Sequence, residues 1–165
     1  MSAVSSYHRN LIIIMTVTFS RQVPLWNQKQ AKSVDQPVVW DYHVILLHRQ
    51  SSSVVQVYDL DTRLTFPCSF RRYAQQAIHS EDFLKPEYKR YFRVISAETY
   101  LRHFASDRTH MLGEDGSWQK TPPPYPCIQT PESNNNIADF ISMDPSVGWG
   151  TVLSHGEFTR RFLPS

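Results

Sequence analysis

Residues 38–48, with the sequence VVWDYHVILLH, decide the fold of this 165-residue chain. The run is rich in β-branched and aromatic residues, which favour strands over helices. A second run of the same kind, VVQVYDL, covers residues 54–60, and the polar segment RQSSS at 49–53 separates the two. Two such runs joined by a short polar loop predict a β-hairpin.

This hairpin predicts which polar side chains meet. Side chains alternate along a strand, so that residues of equal parity share one face of the sheet. A closure that is symmetric about Ser51 places Val44 opposite Tyr58 and His43 directly opposite Asp59. Opposed Cβ atoms lie about 4.5–5.5 Å apart, which suits a hydrogen bond between an imidazole and a carboxylate.

The pair formed by His43 and Asp59 has two interpretations. A carboxylate that holds one tautomer of an imidazole and stabilises its imidazolium is the base–orienter half of a nucleophilic triad. The other interpretation is a structural polar pair on a half-buried sheet. The same register also opposes Asp41 to Asp61, and like charges across a strand pair are unfavourable, so that splaying or a bulge is expected there.

The remaining sequence predicts a mixed α+β fold in one domain that covers residues 1–165. Residues 1–10 are expected to be disordered, and the domain proper is expected to span residues 11–162. Ser96 and Ser154 are plausible N-caps of helices. Further strands are predicted at 11–19 and 93–95, and helices at 73–83, 86–92, 97–104 and 154–162.

Composition excludes several classes of protein. With 17 basic and 15 acidic side chains, the net charge of +2 does not indicate a nucleic-acid-binding protein. The apolar run at 11–19 is shorter than the roughly 20 residues of a membrane span, and its β-branched residues favour a buried strand over a signal peptide. Two cysteines, Cys68 and Cys127, form neither a disulfide framework nor a zinc site, which favours a reducing cytosolic or nuclear location.

Several segments resemble the protein N-terminal glutamine amidohydrolase family. The resemblance covers roughly residues 16–162. Its most specific parts are the segments around His43 and in the C-terminal third. The matching segments are WDYHV at 40–44, VYDLDT at 57–62, FP at 66–67, FRVI at 92–95, SDRTHM at 106–111, PPPYPC at 122–127, DFISMDP at 139–145 and VGWG at 147–150.

This resemblance implies a monomeric enzyme with a papain- or transglutaminase-like fold, in which helices flank a central antiparallel sheet. Family members convert an N-terminal glutamine of a protein to glutamate and release ammonia, and the product is then arginylated in the N-degron route. They use a Cys-His-Asp triad without metal or cofactor. The histidine of the triad corresponds to His43 and the aspartate to Asp59, in agreement with the hairpin argument. The implied partners are proteins with an N-terminal glutamine, not nucleic acid or membrane.

The sequence departs from the family at the nucleophile. The family's catalytic cysteine lies in a Tyr-Cys-Glu-Glu-Asn-type segment that opens an N-terminal helix, and residues 1–10 contain no cysteine. Cys68 and Cys127 fall in motifs where the family has ordinary cysteines, and Ser5 or Ser6 is no better a substitute because a hydroxyl is a weaker nucleophile. The polypeptide of residues 1–165 is therefore expected to have little activity. The alternatives are a non-catalytic module that binds N-terminal glutamine and a nonfunctional truncated isoform.

Overall fold

The computed structural model of the protein describes residues 10–51 and 53–163. Its central element is a six-stranded sheet in which every neighbouring pair is antiparallel, and two further strands form a small separate sheet. The strands are β1 (Leu11–Val17), β2 (Val23–Leu25), β3 (Val38–Trp40), β4 (His43–Arg49), β5 (Val55–Tyr58), β6 (Cys68–Ser69), β7 (Tyr91–Ser96) and β8 (Thr151–Ser154). The large sheet has the order β6-β5-β4-β1-β7-β8, and β2 pairs with β3.

Short helices accompany the sheet. Among the described residues, none of the helices has both the length and the apolar character needed to cross a membrane. They are α1 (Phe70–Tyr73), which continues as a π-helical turn (Ala74–Ile78), α2 (Ala97–His103), α3 (Ile137–Ile141) and α4 (His155–Phe162), with 3₁₀ turns at Pro86–Tyr88 and Thr109–Met111.

The two faces of the sheet are covered by different helices. On one face, Ile14 of β1 belongs to a buried cluster in which Phe92 stacks on Phe158 of α4 at a ring distance of 4.0 Å. On the other face, the next residue of β1, Met15, packs in a smaller cluster that includes Phe140 of α3. The prediction of a mixed α and β fold with a central antiparallel sheet between helices is confirmed.

The predicted hairpin forms, but its register is wrong by two residues. Leu46 lies opposite Tyr58, where the symmetric closure places Val44. Because the shift is even, every side chain keeps its predicted face, and His43 and Asp59 become diagonal neighbours instead of directly opposed ones. The strand ends also remove the predicted Asp41–Asp61 conflict, since β4 begins at His43 and β5 ends at Tyr58.

The long predicted strand at 38–48 is interrupted at residues 41 and 42, so that its first part is β3 of the small sheet. The helix predicted over 73–83 begins at Phe70 and ends at Ile78, where His79 takes a left-handed φ of 61°. The helix predicted over 86–92 is only a 3₁₀ turn that leads into β7. Both predicted N-caps, Ser96 and Ser154, are confirmed. The expectation for residues 1–10 falls, apart from Asn10, outside the described residues.

The segment after α3 is held against β7 by Arg93, which is fully buried. Its guanidinium donates to the backbone carbonyls of Ser142, Trp149 and Asp144, with the Nε–O distance to Ser142 at 2.8 Å. Gly148 has φ of 74°, and a Cβ there would lie 1.7 Å from a backbone oxygen of α3. The first glycine of VGWG, Gly148, is therefore required because another segment of backbone approaches it closely.

Candidate active site

The hairpin ends bring His43 and Asp59 together. His43 opens β4, and Asp59 is the first residue after β5, so both lie at the same end of the neighbouring strands. Nε2 of His43 is 3.0 Å from Oδ1 of Asp59, and the two residues are 4% and 1% exposed. The Nε2–H bond is not well aligned with that oxygen, so the contact is a close imidazole–carboxylate pair and not an ideal hydrogen bond. Because Nε2 faces Asp59, the ring nitrogen left for proton transfer is Nδ1.

Three further donors fix the carboxylate of Asp59. Oδ1 accepts from the backbone N–H of Asp61 at 2.9 Å. Oδ2 accepts from the hydroxyl of Tyr73 at 2.8 Å and from Nε2 of Gln28 at 3.2 Å. Tyr73 and Gln28 are themselves buried. Both oxygens are therefore saturated, and the rotamer that presents Oδ1 to His43 is the one that this network selects.

These contacts also set the charge of Asp59. Burial alone raises the pKa of a carboxyl, but the neighbouring His43 imidazole, the Asp61 backbone and the Tyr73 hydroxyl together hold the pKa of Asp59 below its ordinary value. The pKa of Tyr73 moves in the opposite direction: burial and the adjacent carboxylate of Asp59 raise it well above 10. Asp59 is thus ionised at neutral pH, as a group that orients and stabilises an imidazolium must be.

The pair opens onto a cleft of about 530 Å³. The indole of Trp40 lies over the imidazole with a ring distance of 5.1 Å. His110 also lines the cleft, and its Nε2 is 3.3 Å from the hydroxyl of Tyr42. The cleft is lined by Gln30, Val38, Val39, Trp40, Asp41, Tyr42, His43, Val44, Asp61, His110, Met111, Gln119 and Lys120. It therefore combines aromatic and charged side chains around one edge of the His43 ring.

One group in the described part of the chain has the donor atoms of a metal site. Ligand atoms of His43, Asp59 and Asp61 lie within 4.8 Å of one another. Both oxygens of Asp59 already accept hydrogen bonds, so this carboxylate functions as an acceptor for N–H and O–H groups. The arrangement fits an oriented imidazole better than a metal centre.

The two cysteines lie in surroundings that do not suit a nucleophile. Cys68 is buried in β6 opposite Val57, and burial raises the pKa of its thiol, which is the reverse of what a nucleophile requires. Cys127 is half-buried in the loop that follows the proline run, and it is not among the residues that line the cleft. The serines considered as substitutes, Ser5 and Ser6, lie outside the described residues.

Sequence reasoning misses Tyr73 and Gln28. The pattern places Tyr73 at the start of the helix predicted over 73–83, and the position of the observed helix relative to β5 brings its hydroxyl to Asp59. Gln28 lies in a polar stretch that is typical of a loop, where nothing marks one glutamine as buried. A partial signal exists for Tyr73, because a buried tyrosine hydroxyl requires a partner and Asp59 is the predicted buried carboxylate.

An imidazole beside a buried carboxylate at a cleft has the geometry expected of the acid–base half of a nucleophilic hydrolase site. Comparison with known proteins identifies the family to which the chain belongs. Residues 1–162 match the model of a family described as N-terminal glutamine amidase, and the chain belongs to this family.

Curated relatives agree with this assignment. The chain is 54% identical over 142 residues to the protein N-terminal glutamine amidohydrolase of Homo sapiens, an alignment that covers 86% of this chain and 69% of the relative. It is 52% identical to the protein of that name from Bos taurus, with 86% and 68% covered. The protein from Danio rerio is 51% identical, with 86% and 70% covered.

Proposed function

We propose that this chain is a protein N-terminal glutamine amidohydrolase whose acid–base pair is His43 and Asp59. The observation that carries the proposal is the 3.0 Å imidazole–carboxylate contact at the cleft, in a chain 54% identical to the human protein of that name. The substrate is a protein or peptide with an N-terminal glutamine, and the products are N-terminal glutamate and ammonia. A papain- or transglutaminase-like fold, a monomeric state and a cytosolic or nuclear location belong to the same proposal.

The chemistry follows from the geometry of the pair. A nucleophile beside Nδ1 of His43 gives up its proton to the imidazole and attacks the side-chain carbonyl carbon of glutamine. The C–N bond breaks as His43, now an imidazolium, returns that proton to the departing ammonia. Water then adds to the acyl intermediate with His43 as the base, the bond between the acyl carbon and the nucleophile breaks to release glutamate, and His43 returns its proton to the nucleophile. Asp59 stays ionised throughout and stabilises the imidazolium.

The nucleophile is the second part of the proposal. The family's cysteine segment has no counterpart in residues 1–165, and Cys68 is a buried thiol with a raised pKa. We therefore expect the polypeptide of residues 1–165, assayed alone, to turn over at least about 10⁴-fold more slowly than a form that carries the nucleophile, since removal of one triad member disables the whole unit.

Ammonia release from a glutamine-initiated peptide tests both parts. The assay compares residues 1–165 with an extended form, in which the Tyr-Cys-Glu-Glu-Asn-type segment of a family member precedes Leu11. The extended form is expected to release ammonia, and its Cys→Ser variant is the matched control. Robust turnover by residues 1–165 would overturn the expected impairment. Failure of the extended form, with its fold intact by circular dichroism, would overturn the activity assigned to His43 and Asp59.

A further inference from the structure

The carboxylate of Asp61 occupies a place that the acid–base chemistry does not use. Asp61 lines the cleft, is half-buried, and places a carboxylate oxygen within 4.8 Å of a ring nitrogen of His43. Its backbone is fixed on both sides, because its N–H donates to Asp59 and its carbonyl accepts from the N–H of Lys29 at 2.7 Å. The backbone that carries this side chain is thereby held at the edge of the cleft.

No lysine or arginine in the described residues forms an ion pair with this carboxylate. The ion pairs found there join His43 to Asp59, Arg90 to Glu81, and Arg102 to Glu98. A partly desolvated carboxylate is stabilised by a cationic partner. A cleft that contains such a group beside its acid–base pair, together with the aromatic rings of Trp40 and Tyr42, is suited to a cationic ligand.

We infer that Asp61 binds the α-ammonium group of the substrate and so determines that only an N-terminal glutamine is accepted. This inference rests on the proposed function. An internal glutamine carries a neutral amide nitrogen in place of the ammonium. It would leave the Asp61 carboxylate unpaired, and its preceding residue would also need space at the same point.

The dimensions of glutamine agree with this assignment. Four bonds of about 1.5 Å separate the α-nitrogen from the side-chain carbonyl carbon, so that the extended side chain spans about 5 Å. A charge-assisted hydrogen bond adds about 2.8 Å at the ammonium end. One glutamine can therefore contact Asp61 with its ammonium while its amide lies beside the His43 ring. Asparagine is shorter by one methylene, which moves its amide away from His43 when the ammonium is held.

Asp41 is the other carboxylate of the cleft, and the structure favours Asp61 over it. Asp41 is exposed and lies outside the group of atoms within 4.8 Å of His43. Solvent screens an exposed pair, so Asp41 contributes less to binding than a half-buried carboxylate next to the reacting amide.

Calorimetric binding of two peptides to the 165-residue chain tests the inference without requiring turnover. One peptide begins with a free glutamine, and its twin carries an acetyl group on the α-nitrogen. We expect the wild-type chain to bind the free peptide at least about tenfold more tightly, and Asp61→Asn to lose this preference. The matched control is Asp35→Asn, which removes the same charge from an exposed loop residue that does not line the cleft.

The outcomes separate this inference from the proposed function. Equal binding of the two peptides by the wild-type chain, including binding of neither, would overturn the role of Asp61 without any appeal to a variant. That role is also refuted if Asp61→Asn folds and keeps the preference. Failure of the proposed function would be seen elsewhere, as an absence of ammonia release by the extended form.

Discussion

Asp59, directly after β5, and Arg93, within β7, are both buried charged residues, and their hydrogen-bond partners differ in kind. Arg93 donates only to backbone carbonyls of the segment after α3. Asp59 accepts from one backbone N–H and from the side chains of Tyr73 and Gln28, with His43 as its fourth contact. The first arrangement fastens a chain segment, whereas the second places one partner, the imidazole of His43, at a cleft.

The proposed function gives Asp59 a chemical role and leaves Arg93 with a structural one. Adjacent residues of β1 point to opposite faces of the sheet. Thr16 pairs with His43, and its neighbour Met15 pairs with Arg93. His43, the partner of Asp59, and Arg93 therefore lie on opposite faces of the same sheet. Replacing Asp59 is expected to remove activity, and replacing Arg93 is expected to remove stability.

Asp59→Asn should give the largest effect. In the extended form, we expect turnover of the glutamine peptide to fall about 10⁴-fold, because an amide neither holds the required tautomer of His43 nor stabilises its imidazolium. Ammonia release under substrate saturation is the measurement. Asp82→Asn, a change at an exposed residue that does not line the cleft, should leave turnover unaffected. Turnover retained within tenfold in Asp59→Asn would show that this carboxylate is structural, like Arg93.

Arg93→Met should lower the stability of the fold. The methionine fills much of the volume, but the carbonyls of Ser142, Trp149 and Asp144 lose their donor. We expect the free energy of unfolding in urea to fall by about 3 kcal/mol. Arg102→Met is the control, since its pair with Glu98 is exposed on both sides and should contribute less than about 1 kcal/mol. Equal effects of the two changes would refute the distinction.

Sequence predicted the parts of this comparison that depend on local pattern. The strand character of residues 38–48 and 54–60 predicts that His43 and Asp59 lie on one face. This prediction remains correct although the register is wrong by two residues, because a shift by an even number keeps each side chain on its face. The donors to Asp59 come from Gln28 and Tyr73, 31 and 14 residues away along the chain. No periodicity encodes such contacts, because they depend on how a loop and a helix dock against β5.

Arg93 shows the same limit. Within the segment FRVI at 92–95, Arg93 is one charged residue in a short apolar strand. Only the tertiary structure shows that Arg93 is buried and donates to carbonyls of a later segment. The like-charge conflict of Asp41 predicts a local disturbance of the strand, but a single residue that strands disfavour does not predict that 38–40 and 43–49 belong to two different sheets.

Tyr73→Phe tests the network behind Asp59 with a smaller change. The ring stays in the core and only the 2.8 Å hydrogen bond to Oδ2 is lost, so we expect a cost of about 2 kcal/mol in unfolding free energy at pH 7. The pKa of Asp59 is lowered in the folded state, so its contribution to stability is present above the ordinary pKa of about 3.9 and is lost as pH falls through the folded value.

Removing the Tyr73 hydroxyl moves the folded pKa of Asp59 upward, towards the ordinary value. The difference in stability between Tyr73→Phe and wild type should therefore shrink as the pH is lowered from 7 to 2. Urea unfolding at several pH values measures this difference. A cost that stays constant over the whole range would show that the Tyr73 hydroxyl does not stabilise the charge of Asp59.

Ser96→Ala should give the smallest effect, on the face of the sheet that Arg93 occupies. Ser96 ends β7 and caps α2 by accepting from the N–H of Thr99 at 3.0 Å, and α2 carries Tyr100 into the cluster around Met15. Loss of the cap should cost about 1 kcal/mol at any pH, because no titrating group takes part. Ser96→Asp should restore the stability at pH 7, where the carboxylate is ionised and caps as well as serine. A cost confined to Ser96→Ala, rescued by aspartate and independent of pH, would mark this face as structural, in contrast to the pH-dependent cost expected around Asp59.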